Sequence, residues 1–402
     1  MKRYRIVGLL AALLCICLGI QASAGAEYTL SVKNCTVLQD MPDRHIAVQA
    51  ADTLRAAIPG ESPVTGLKWE GRYLPMLVQI GNTADTLQVN GYSVKASGIG
   101  KYTPWGIQYA DILYEQSLYA TGNTRFTALF SDRFSSGEPE TGVGPVRSCR
   151  YGPLLLREEW QAGLVFGGGL GPRGDQIAAL LADETALQGG LLINTRSAAF
   201  ADQMGYIVRG QGKKAPNTYN AYLIKARNSI PEPHTPEARP FLFQNGGAYA
   251  DGYQAAATVH LDWGNKYNIS HFVYDIQTNT YTRYCGAGIN PKKWAPFTAY
   301  PTAEDSGEES KLPLAFANVI VQRVTYTLET GSVPKPIVQL IGQGNADVFI
   351  GGRYIPGYWV CPAVGEPTVY FDDQGNEIML NRGKTFIAQF PEEARCTFTA
   401  AE

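Results

Sequence analysis

Histidine is scarce in this chain, and its spacing excludes the common zinc motifs. The 402 residues include four histidines, with no H-x-x-x-H spacing and no C-x-x-C pair, although zinc sites usually contain one of these. The phosphate-binding motif G-x-x-x-x-G-K-S/T, the nucleophile motif G-x-S-x-G and the metalloprotease motif H-E-x-x-H are also missing. We therefore expect no metal site and no cofactor, and the sequence by itself indicates no reaction.

Cysteine is sparse and widely spaced. Five cysteines follow residue 24, and no two of them lie close together in the sequence. One or two long-range disulfides can form if the chain is exported, whereas buried free thiols are an equal alternative. The pairing stays open among Cys35, Cys149, Cys285, Cys361 and Cys396.

The N-terminus predicts an export signal. Three basic residues precede an apolar run, residues 6–20, which is short for a bilayer span. Small residues at 22–24 suit cleavage before Gly25. Cys15 and Cys17 each follow a large apolar residue, whereas a lipoprotein signal has a small one there. We expect residues 1–24 to be a signal peptide and the protein to be extracytoplasmic, with an uncleaved membrane tether as the alternative.

Neither a second long apolar run nor an excess of positive charge is present. The whole chain has a net charge of −2, and residues 1–24 contain three basic residues and no acid, so the remainder has a net charge of −5. Nucleic-acid binders are usually basic. We expect no membrane span after signal cleavage and no nucleic-acid partner. The oligomeric state is not indicated.

Residues 74–254 have the pattern of an α/β domain. Strand patterns that alternate with helical patterns favour a layered, mixed sheet with helices. Residues 25–73 are expected to be an N-terminal extension and connector, with a short helix at residues 43–57. The strand patterns lie at residues 75–80, 110–116, 126–130, 163–166 and 191–193, and the helical patterns at residues 154–160, 174–182 and 195–204.

Residues 255–402 predict a β-rich, mostly antiparallel domain. Turn residues at 276–279 and 372–376 separate strand-like runs, which indicates hairpins. The polar stretch at residues 303–311 is expected to be a loop. The strand patterns lie at residues 258–261, 271–275, 280–284, 319–328, 337–340, 346–350, 368–371 and 385–390.

Three arginines beside a glycine-rich turn are the first candidate site. Arg125 lies in one strand-like run, and Arg147 and Arg150 follow Gly144 and Pro145. The planar guanidinium fork fits phosphate or carboxylate. On a straight strand Arg147 and Arg150 point to opposite faces, so they converge only if the chain bends. Two hypotheses stay equal, a ligand-binding anion site and structural ion pairs with nearby acids.

A glycine run is the second candidate for anion binding. Gly169, Gly171 and Gly174 match G-x-G-x-x-G between a strand pattern and a helical pattern, and Arg173 lies among them. No acid ends the next strand, so a dinucleotide site is rejected. Gly169, Gly171 and Arg173 are expected to bind an oxyanion at a helix start, or else to form a tight strand-to-helix turn.

Asp111 and Glu115 are the candidate catalytic residues. They lie four residues apart in a strand pattern, which places them on one face, and paired carboxylates can act in acid–base chemistry. Pairing with arginine or exposure to water is the alternative. Cys149 lies between two arginines that would lower the pKa of a nucleophilic thiol, but packing is the favoured interpretation.

Several motifs lie in register along the chain. They include Ala-Asp-Ile-Leu-Tyr-Glu at 110–115, Thr-Arg-Phe-Thr-Ala-Leu-Phe at 124–130, Gly-Pro-Val-Arg-Ser-Cys-Arg at 144–150 and Tyr-Asp-Ile-Gln-Thr-Asn-Thr-Tyr-Thr-Arg-Tyr at 274–284. These motifs resemble the YerB-like family of bacterial lipoproteins, a family named for a domain of unknown function. The resemblance implies an N-terminal α/β domain and a C-terminal β-rich domain outside a bacterial membrane, with no established catalytic mechanism. Gly81 and Asn217 stand where the family often has aspartate and histidine, and the lipid-attachment cysteine is missing.

These observations favour a non-catalytic envelope protein that binds an anionic, phosphate- or carboxylate-bearing ligand. One alternative is an enzyme acting on a phosphate-bearing substrate, with Asp111 or Glu115 as acid or base and the arginines stabilising charge. A second alternative is a protein-interaction module, which would need a sizeable exposed apolar patch.

Overall fold

The computed structural model describes most of the chain from residue 55 onward. The described residues are 55–118, 122–131, 142–168, 191–195, 219–247, 249, 251–305, 307–328 and 336–400, with the backbone of two earlier strands. The first part comprises β1 Glu27–Ser31, β2 His45–Gln49, β3 Met76–Gly81, β4 Ala84–Val89, β5 Tyr92–Ser97, β6 Ile112–Ser117, β7 Thr124–Phe130, β8 Gly142–Val143, α1 Tyr151–Trp160, β9 Gly163–Phe166, β10 Leu192–Asn194, β11 Ala221–Tyr222, α2 Leu223–Asn228, β12 Phe243–Gln244 and β13 Gln254–Ala255.

Strands make up nearly all the regular structure of the second part. They are β14 Thr258–Asp262, β15 Ile269–Asp275, β16 Thr280–Cys285, β17 Ala295–Pro296, β18 Thr298–Ala299, β19 Leu312–Pro313, β20 Ala315–Phe316, β21 Asn318–Val324, β22 Tyr326–Leu328, β23 Pro336–Val338, β24 Gly342–Ile350, β25 Arg353–Cys361, β26 Val369–Asp372, β27 Leu380–Asn381, β28 Thr385–Pro391 and β29 Arg395–Thr399.

One large mixed sheet runs through both parts of the chain. Its strand order is β10-β9-β3-β7-β6-β28-β21-β24-β25-β13, with β26 also paired to β25. The two parts meet where β6 pairs in parallel with β28, and Glu115 lies opposite Ala388 in that register. The strands therefore do not sort into one sheet for residues 74–254 and another for residues 255–402.

A six-stranded antiparallel sheet packs on one face of the large sheet. Its order is β17-β16-β15-β14-β29, with β20 also paired to β16. Alternate residues of the large sheet point into this interface, because successive side chains on a strand face opposite sides. The core that results includes Val78, Phe126, Phe386, Phe272 and Tyr281, all with no exposed surface.

Helix α1 covers the opposite face of the large sheet. Its Leu154, Leu156 and Trp160 pack against Leu77 and Leu129 from β3 and β7. The helix ends at Gln161, which adopts a left-handed conformation with φ of 50°. The central strands are therefore covered on both faces, which explains why all six residues of β3 are buried.

The expectation of a layered α/β domain at residues 74–254 is not supported by the described residues, which are mainly β-structure and contain two α-helices. Strands β3, β7 and β6 pair antiparallel, and antiparallel neighbours need no helical crossover. The predicted helix at residues 154–160 is present within α1. The helical pattern at residues 174–182 lies outside the described residues, and so does the pattern at residues 195–204 apart from its first residue.

The expected helix at residues 43–57 is wrong in its first half, because β2 pairs there with β1 as an antiparallel hairpin. His-Ile-Ala-Val-Gln alternates apolar and polar residues in part and contains two β-branched side chains, which suits a strand. In the second part of the chain, the β-rich and largely antiparallel prediction is confirmed.

The described part of the chain contains no helix long and apolar enough to cross a membrane. It also contains no group of three or more potential metal ligands. Four cysteines lie in this part, and all are free thiols: Cys149, Cys285, Cys361 and Cys396. Cys35 lies outside the described residues.

Candidate functional site

The predicted arginines lie at one edge of the large sheet. Strands β3, β9 and β10 run parallel, so their carboxyl ends share this edge. Strand β7 runs antiparallel to β3 and begins at the same edge, with Arg125 opposite Gly81. Ligands of open sheets often bind outside the carboxyl ends of parallel strands. We call the group formed by Arg125, Arg147, Ser148, Arg150 and Thr195 the arginine edge.

Arg125 and Arg150 converge on a single serine. Nη1 of Arg125 donates to the Ser148 carbonyl oxygen at 2.5 Å and to Ser148 Oγ at 3.1 Å. Nη1 of Arg150 donates to the same Oγ at 3.2 Å and to the Cys149 carbonyl oxygen at 2.7 Å. Nε of Arg150 is buried and has no hydrogen-bond partner among the described residues. The chain bends between residues 145 and 150, so two of the predicted arginines do meet.

Arg147 belongs to the same bend and lies against Gly81 of β3. A Cβ atom placed on Gly81 would lie 2.9 Å from Arg147 Nε and 3.0 Å from Cζ, so the guanidinium group rests against the glycine backbone. The side chain is buried, and this burial lowers the pKa of Arg147 to about 10, although nearby Tyr102 opposes the shift. Gly81 therefore makes room for a desolvated positive charge next to Arg125.

The N-terminus of α1 adds positive potential to the arginine edge. Arg150 is the N-cap residue, its own side chain does not cap the helix, and the first turn contains no acid. The first amide groups of a helix lack intrahelical acceptors and together resemble about half a positive charge. The helix start and the two converging guanidinium groups therefore favour an anion at the same place.

Thr195 contributes a hydroxyl group at the end of β10. Its side chain is buried, and Oγ1 has no hydrogen-bond partner among the described residues. Oγ1 lies 3.0 Å from the position that a Cβ on Gly167 would occupy. The neighbouring backbone is close to the arginines, because Gly167 N donates to the Arg147 carbonyl oxygen at 2.7 Å. Thr195 can therefore donate to a ligand at this edge.

The beginning of the predicted glycine site adjoins the arginine edge. Cys149 N donates to the Gly168 carbonyl oxygen at 3.2 Å, and Gly168 N donates to Asn194 Oδ1 at 2.9 Å. Gly168 has a φ of 76°, a conformation that favours glycine. The candidates Gly169, Gly171 and Arg173 lie outside the described residues, so their part in the site stays a prediction.

Like charges at this edge repel each other. Nη1 of Arg125 and Nη1 of Arg150 share one hydrogen-bond acceptor, so they are at most about 6 Å apart. At an effective dielectric constant of about 20, two unit charges at that distance repel by on the order of 3 kcal/mol. An anion between them would replace this repulsion with two attractive contacts.

Cys149 packs rather than reacts. Its thiol is buried and donates to the Arg150 carbonyl oxygen at 3.2 Å. Burial raises the pKa of Cys149 to about 12, although Arg150 and Arg125 both oppose the shift. The thiol is therefore neutral at pH 7, whereas a nucleophilic cysteine reacts as the thiolate.

The two acids proposed for catalysis have structural partners. Asp111 is buried, and its Oδ2 accepts hydrogen bonds from Ser131 N at 2.5 Å and Ser131 Oγ at 2.9 Å. Glu115 has no exposed surface and forms an ion pair of 2.9 Å with Arg283 of β16. Neither carboxylate therefore has the solvent access that an acid–base catalyst needs.

Glu115 and Arg125 also face opposite sides of the sheet. In the register of β6 with β7, Glu115 lies opposite Phe126, whereas Gln116 lies opposite Arg125. Glu115 thus points into the core between the sheets, and Arg125 points toward α1. The structure does not bring the predicted acid and the predicted arginine into one pocket.

Sequence reasoning missed Ser148 and Thr195 as members of this site. Thr195 is the first residue of the helical pattern predicted at residues 195–204, and Ser148 lies between arginines whose charge is the more prominent signal. Thr195 comes directly after a short buried strand. Ligands often bind at the carboxyl ends of parallel strands, so this position could have indicated a binding residue.

Comparisons with known proteins identify the family. Residues 99–231 match the model of the DUF3048 N-terminal domain, and residues 258–387 match that of the DUF3048 C-terminal domain, each described as a protein of unknown function. The crystal structure of the YerB protein from Bacillus subtilis is similar, with a TM-score of 0.59 and 21% identity over 84% of this chain and 99% of that chain. At this identity the similarity shows the fold alone. A search of curated proteins gave no significant match.

Proposed function

The chain belongs to the DUF3048 family, and from that premise we propose that it is an exported envelope protein that binds an anionic ligand at the arginine edge. The observation that carries the proposal is the convergence of Arg125 and Arg150 on Ser148 at the start of α1. Buried Arg147 supports it from the same edge, as does the Thr195 hydroxyl, which has no hydrogen-bond partner in the described part of the chain.

The chemistry favours a ligand with several anionic oxygens. Each guanidinium group can bind two oxygens of one phosphate or carboxylate in parallel. Two such groups, together with backbone amides at a helix start, match a phosphate, a pyrophosphate or a carboxylate pair better than a single-charge ion. A lipid-linked phosphate and an acidic cell-envelope glycan both offer these groups.

The envelope location is proposed from the basic and apolar pattern of residues 1–24. If the pattern is a cleaved signal, N-terminal sequencing of the protein from the extracytoplasmic fraction of the producing cell should begin at Gly25. Recovery from the cytosolic fraction with Met1 or Lys2 first would contradict the proposal.

The anion proposal is tested by thermal shift and calorimetry at constant ionic strength. The probes are inorganic phosphate, pyrophosphate and citrate. A ligand at a hundredfold excess over Kd stabilises a protein by about 2.7 kcal/mol, so a clear rise in Tm is expected for the wild type. In Arg125→Gln and Arg150→Gln the rise should shrink, because each change removes one charged fork without removing the side-chain stem.

Arg395→Gln is the matched control, because Arg395 is exposed and lies on β29 of the six-stranded sheet, outside the arginine edge. It should respond to pyrophosphate as the wild type does. If the two site variants also respond like the wild type, or if no probe raises the Tm, the anion proposal is wrong. Vesicles of phosphatidylglycerol, compared with vesicles of phosphatidylcholine, then distinguish a lipid headgroup from a soluble anion.

A further inference from the structure

A second cavity lies away from the arginine edge. It has a volume of about 380 Å³, within the range of small-molecule sites. It opens between the segment after β12, the β15–β16 turn, the β24–β25 turn and strand β27. The described residues that line it are mostly uncharged and polar or glycine: Gln244, Asn245, Gly246, Gly247, Tyr249, Tyr274, Ile276, Asn279, Ile350, Gly351, Arg353 and Asn381.

Asn381 lines this cavity and has an unused side-chain amide. The residue is 4% exposed, and neither Nδ2 nor Oδ1 has a hydrogen-bond partner among the described residues. A buried amide without partners costs free energy, so such groups in folded proteins usually have a partner. A ligand in the cavity would supply the missing acceptor and donor.

The backbone of Asn381 is held firmly while its side chain stays unpaired. Asn381 N donates to Asn318 Oδ1 at 2.8 Å, and Asn318 Nδ2 donates to the Asn381 carbonyl oxygen at 2.9 Å. Asn318 has no exposed surface and also donates to Thr385 Oγ1 at 3.1 Å. Asn318 therefore fixes the position of Asn381, and the Asn381 amide is left over for another role.

A second amide lies close to the first. A Cβ atom placed on Gly351 would lie 3.7 Å from Asn279 Oδ1 and 3.8 Å from Asn381 Nδ2. Tyr274 donates its hydroxyl to Asn279 Oδ1 at 2.9 Å, which orients the Asn279 amide. A substituent on Gly351 would thus reach two amide groups, and the glycine leaves that space open.

The lining determines the class of ligand. Asparagine offers both donors and an acceptor, and tyrosine combines an apolar ring with a hydroxyl. Among the described lining residues, Arg353 carries the one charge and no carboxylate is present. The site therefore disfavours cations and suits a neutral molecule with many hydroxyl groups and an apolar ring face.

We propose that this cavity binds a neutral saccharide unit, with Asn381 and Asn279 as hydrogen-bonding residues. Neighbouring hydroxyls of a sugar ring can each donate and accept, which matches the donor and acceptor of a planar amide. The C–H face of the ring would pack against Tyr274 or Tyr249. A peptide is less well matched, because peptides commonly add a strand to an exposed sheet edge, and β12 beside the cavity has two residues.

The saccharide site and the anion site can fail separately. The cavity involves β12, β15, the β15–β16 turn, β24, β25 and β27, whereas the arginine edge lies at the ends of β3, β7, β9 and β10 and at the start of α1. The arginine variants should therefore lose pyrophosphate binding and keep saccharide binding. Variants of Asn381 should lose saccharide binding and keep pyrophosphate binding.

Saturation-transfer NMR and calorimetry with the purified protein test the proposal. The probes are oligomers of N-acetylglucosamine, cello-oligosaccharides and malto-oligosaccharides, with neutral tri-alanine as the peptide arm. At least one saccharide series should bind to the wild type. Asn381→Ala should weaken that binding by about tenfold or more, because an amide contact buried by the ligand is lost. Asn290→Ala, which removes an exposed amide elsewhere, should bind like the wild type.

A stability measurement separates a ligand contact from a structural role. Because the Asn381 amide has no described partner to lose, Asn381→Ala should leave Tm within about 2 °C of the wild type or raise it. Asn318→Ala should lower Tm, because it leaves the backbone of Asn381 unpaired. A large fall in Tm for Asn381→Ala, undiminished saccharide binding in that variant, binding of tri-alanine alone, or no binding of any probe would each overturn the proposal.

Discussion

Glu115 and Arg283 form an ion pair inside the core between the two sheets. Both side chains are almost completely buried, with 0% and 1% of their side-chain surface exposed. Thr124 Oγ1 and Asn82 Nδ2 also donate to Glu115 Oε1. The guanidinium group of Arg283 lies 4.0 Å from the ring centre of Phe297, a cation–π contact. Burial raises the pKa of Glu115, although Arg283 and Thr124 oppose the shift.

Breaking this pair should destabilise the protein strongly. Arg283→Met leaves Glu115 buried without its counter-charge, and such a loss costs about 3–5 kcal/mol. The double variant Glu115→Gln with Arg283→Met should recover part of that cost, because no unpaired charge remains. Urea unfolding at pH 7 measures both values. Equal or greater destabilisation of the double variant would show that the charge pair itself contributes little.

His260 and His271 form a hydrogen-bonded chain in the six-stranded sheet. His271 Nε2 lies 2.8 Å from the Gly286 carbonyl oxygen and must donate to it. In the neutral state, His271 Nδ1 therefore accepts from His260 Nδ1 at 2.8 Å, and His260 Nε2 accepts from Thr258 Oγ1 at 3.2 Å. The contact between the two Nδ1 atoms needs one donor and one acceptor, so at least one of the two rings must be neutral. Burial lowers the pKa of His271 to about 4 and also lowers that of His260.

These histidines should make the protein less stable in mild acid. Both folded-state pKa values lie below the unfolded value of about 6.5, so the unfolded chain binds protons first as the pH falls. The stabilisation is complete above pH 6.5 and is lost toward pH 4, with about 3 kcal/mol lost from His271. Unfolding free energies between pH 7 and 4 should fall less steeply in His260→Gln/His271→Gln than in the wild type.

The pH dependence of stability must be compared between variants, because Glu159 changes the stability in the opposite direction. Burial raises the pKa of Glu159 to about 7, so its protonation stabilises the folded state as the pH falls. His234→Gln is the control, since His234 contacts the Gln161 carbonyl oxygen far from the histidine chain. If the double variant and the wild type show the same pH slope, the neutral histidine pair has no energetic role.

At the scale of elements, apolar runs predicted the central strands well. β9 was predicted with its observed limits, and β3, β7, β21 and β28 were located within a few residues. Strand β25 was missed, because Pro356 and Gly357 are turn signals in a sequence that otherwise suits a strand. The structure shows the reason for Gly357, since a Cβ atom there would overlap the carbonyl oxygen of Phe371 on β26.

Substitution of this glycine should loosen β26 from β25. Gly357→Ala forces the two backbones apart, and overpacking of this kind costs about 1–3 kcal/mol. Ile355→Val on the same strand is the control and should cost about 0.5–1.5 kcal/mol, since it removes one buried methyl group. Chemical denaturation, with hydrogen exchange on β26, measures the effect. If Gly357→Ala lowers the unfolding free energy no more than Ile355→Val does, the close approach of β25 and β26 does not explain the glycine.

The candidate site was predictable from the sequence only in part. Residue type predicted that Arg125, Arg147 and Arg150 could hold an anion, but sequence could not place the bend that brings Arg125 and Arg150 to Ser148. The cavity around Asn381 was not predictable, because its members come from four separate segments and asparagines in turns carry no distinctive spacing.

At the scale of the whole molecule, the two family-model regions form one structure. β6 of the first region pairs in parallel with β28, which begins at the end of the second region. The Glu115–Arg283 pair also joins a strand from each region. Parallel pairing between distant segments requires closure of long loops before the contacts can form. Each half of the chain alone would therefore expose the edge that the other half covers.

The halves should consequently depend on each other for folding. Residues 55–254 expressed alone would leave the β28 edge of β6 unpaired and Glu115 without Arg283, so we expect no cooperative thermal transition and a tendency to aggregate. Co-expression with residues 255–402 should restore a soluble complex, because the missing strand and counter-charge return together. Size-exclusion chromatography and circular dichroism compare the two preparations. Cooperative melting of residues 55–254 alone would show that the first half is an independent domain despite the shared sheet.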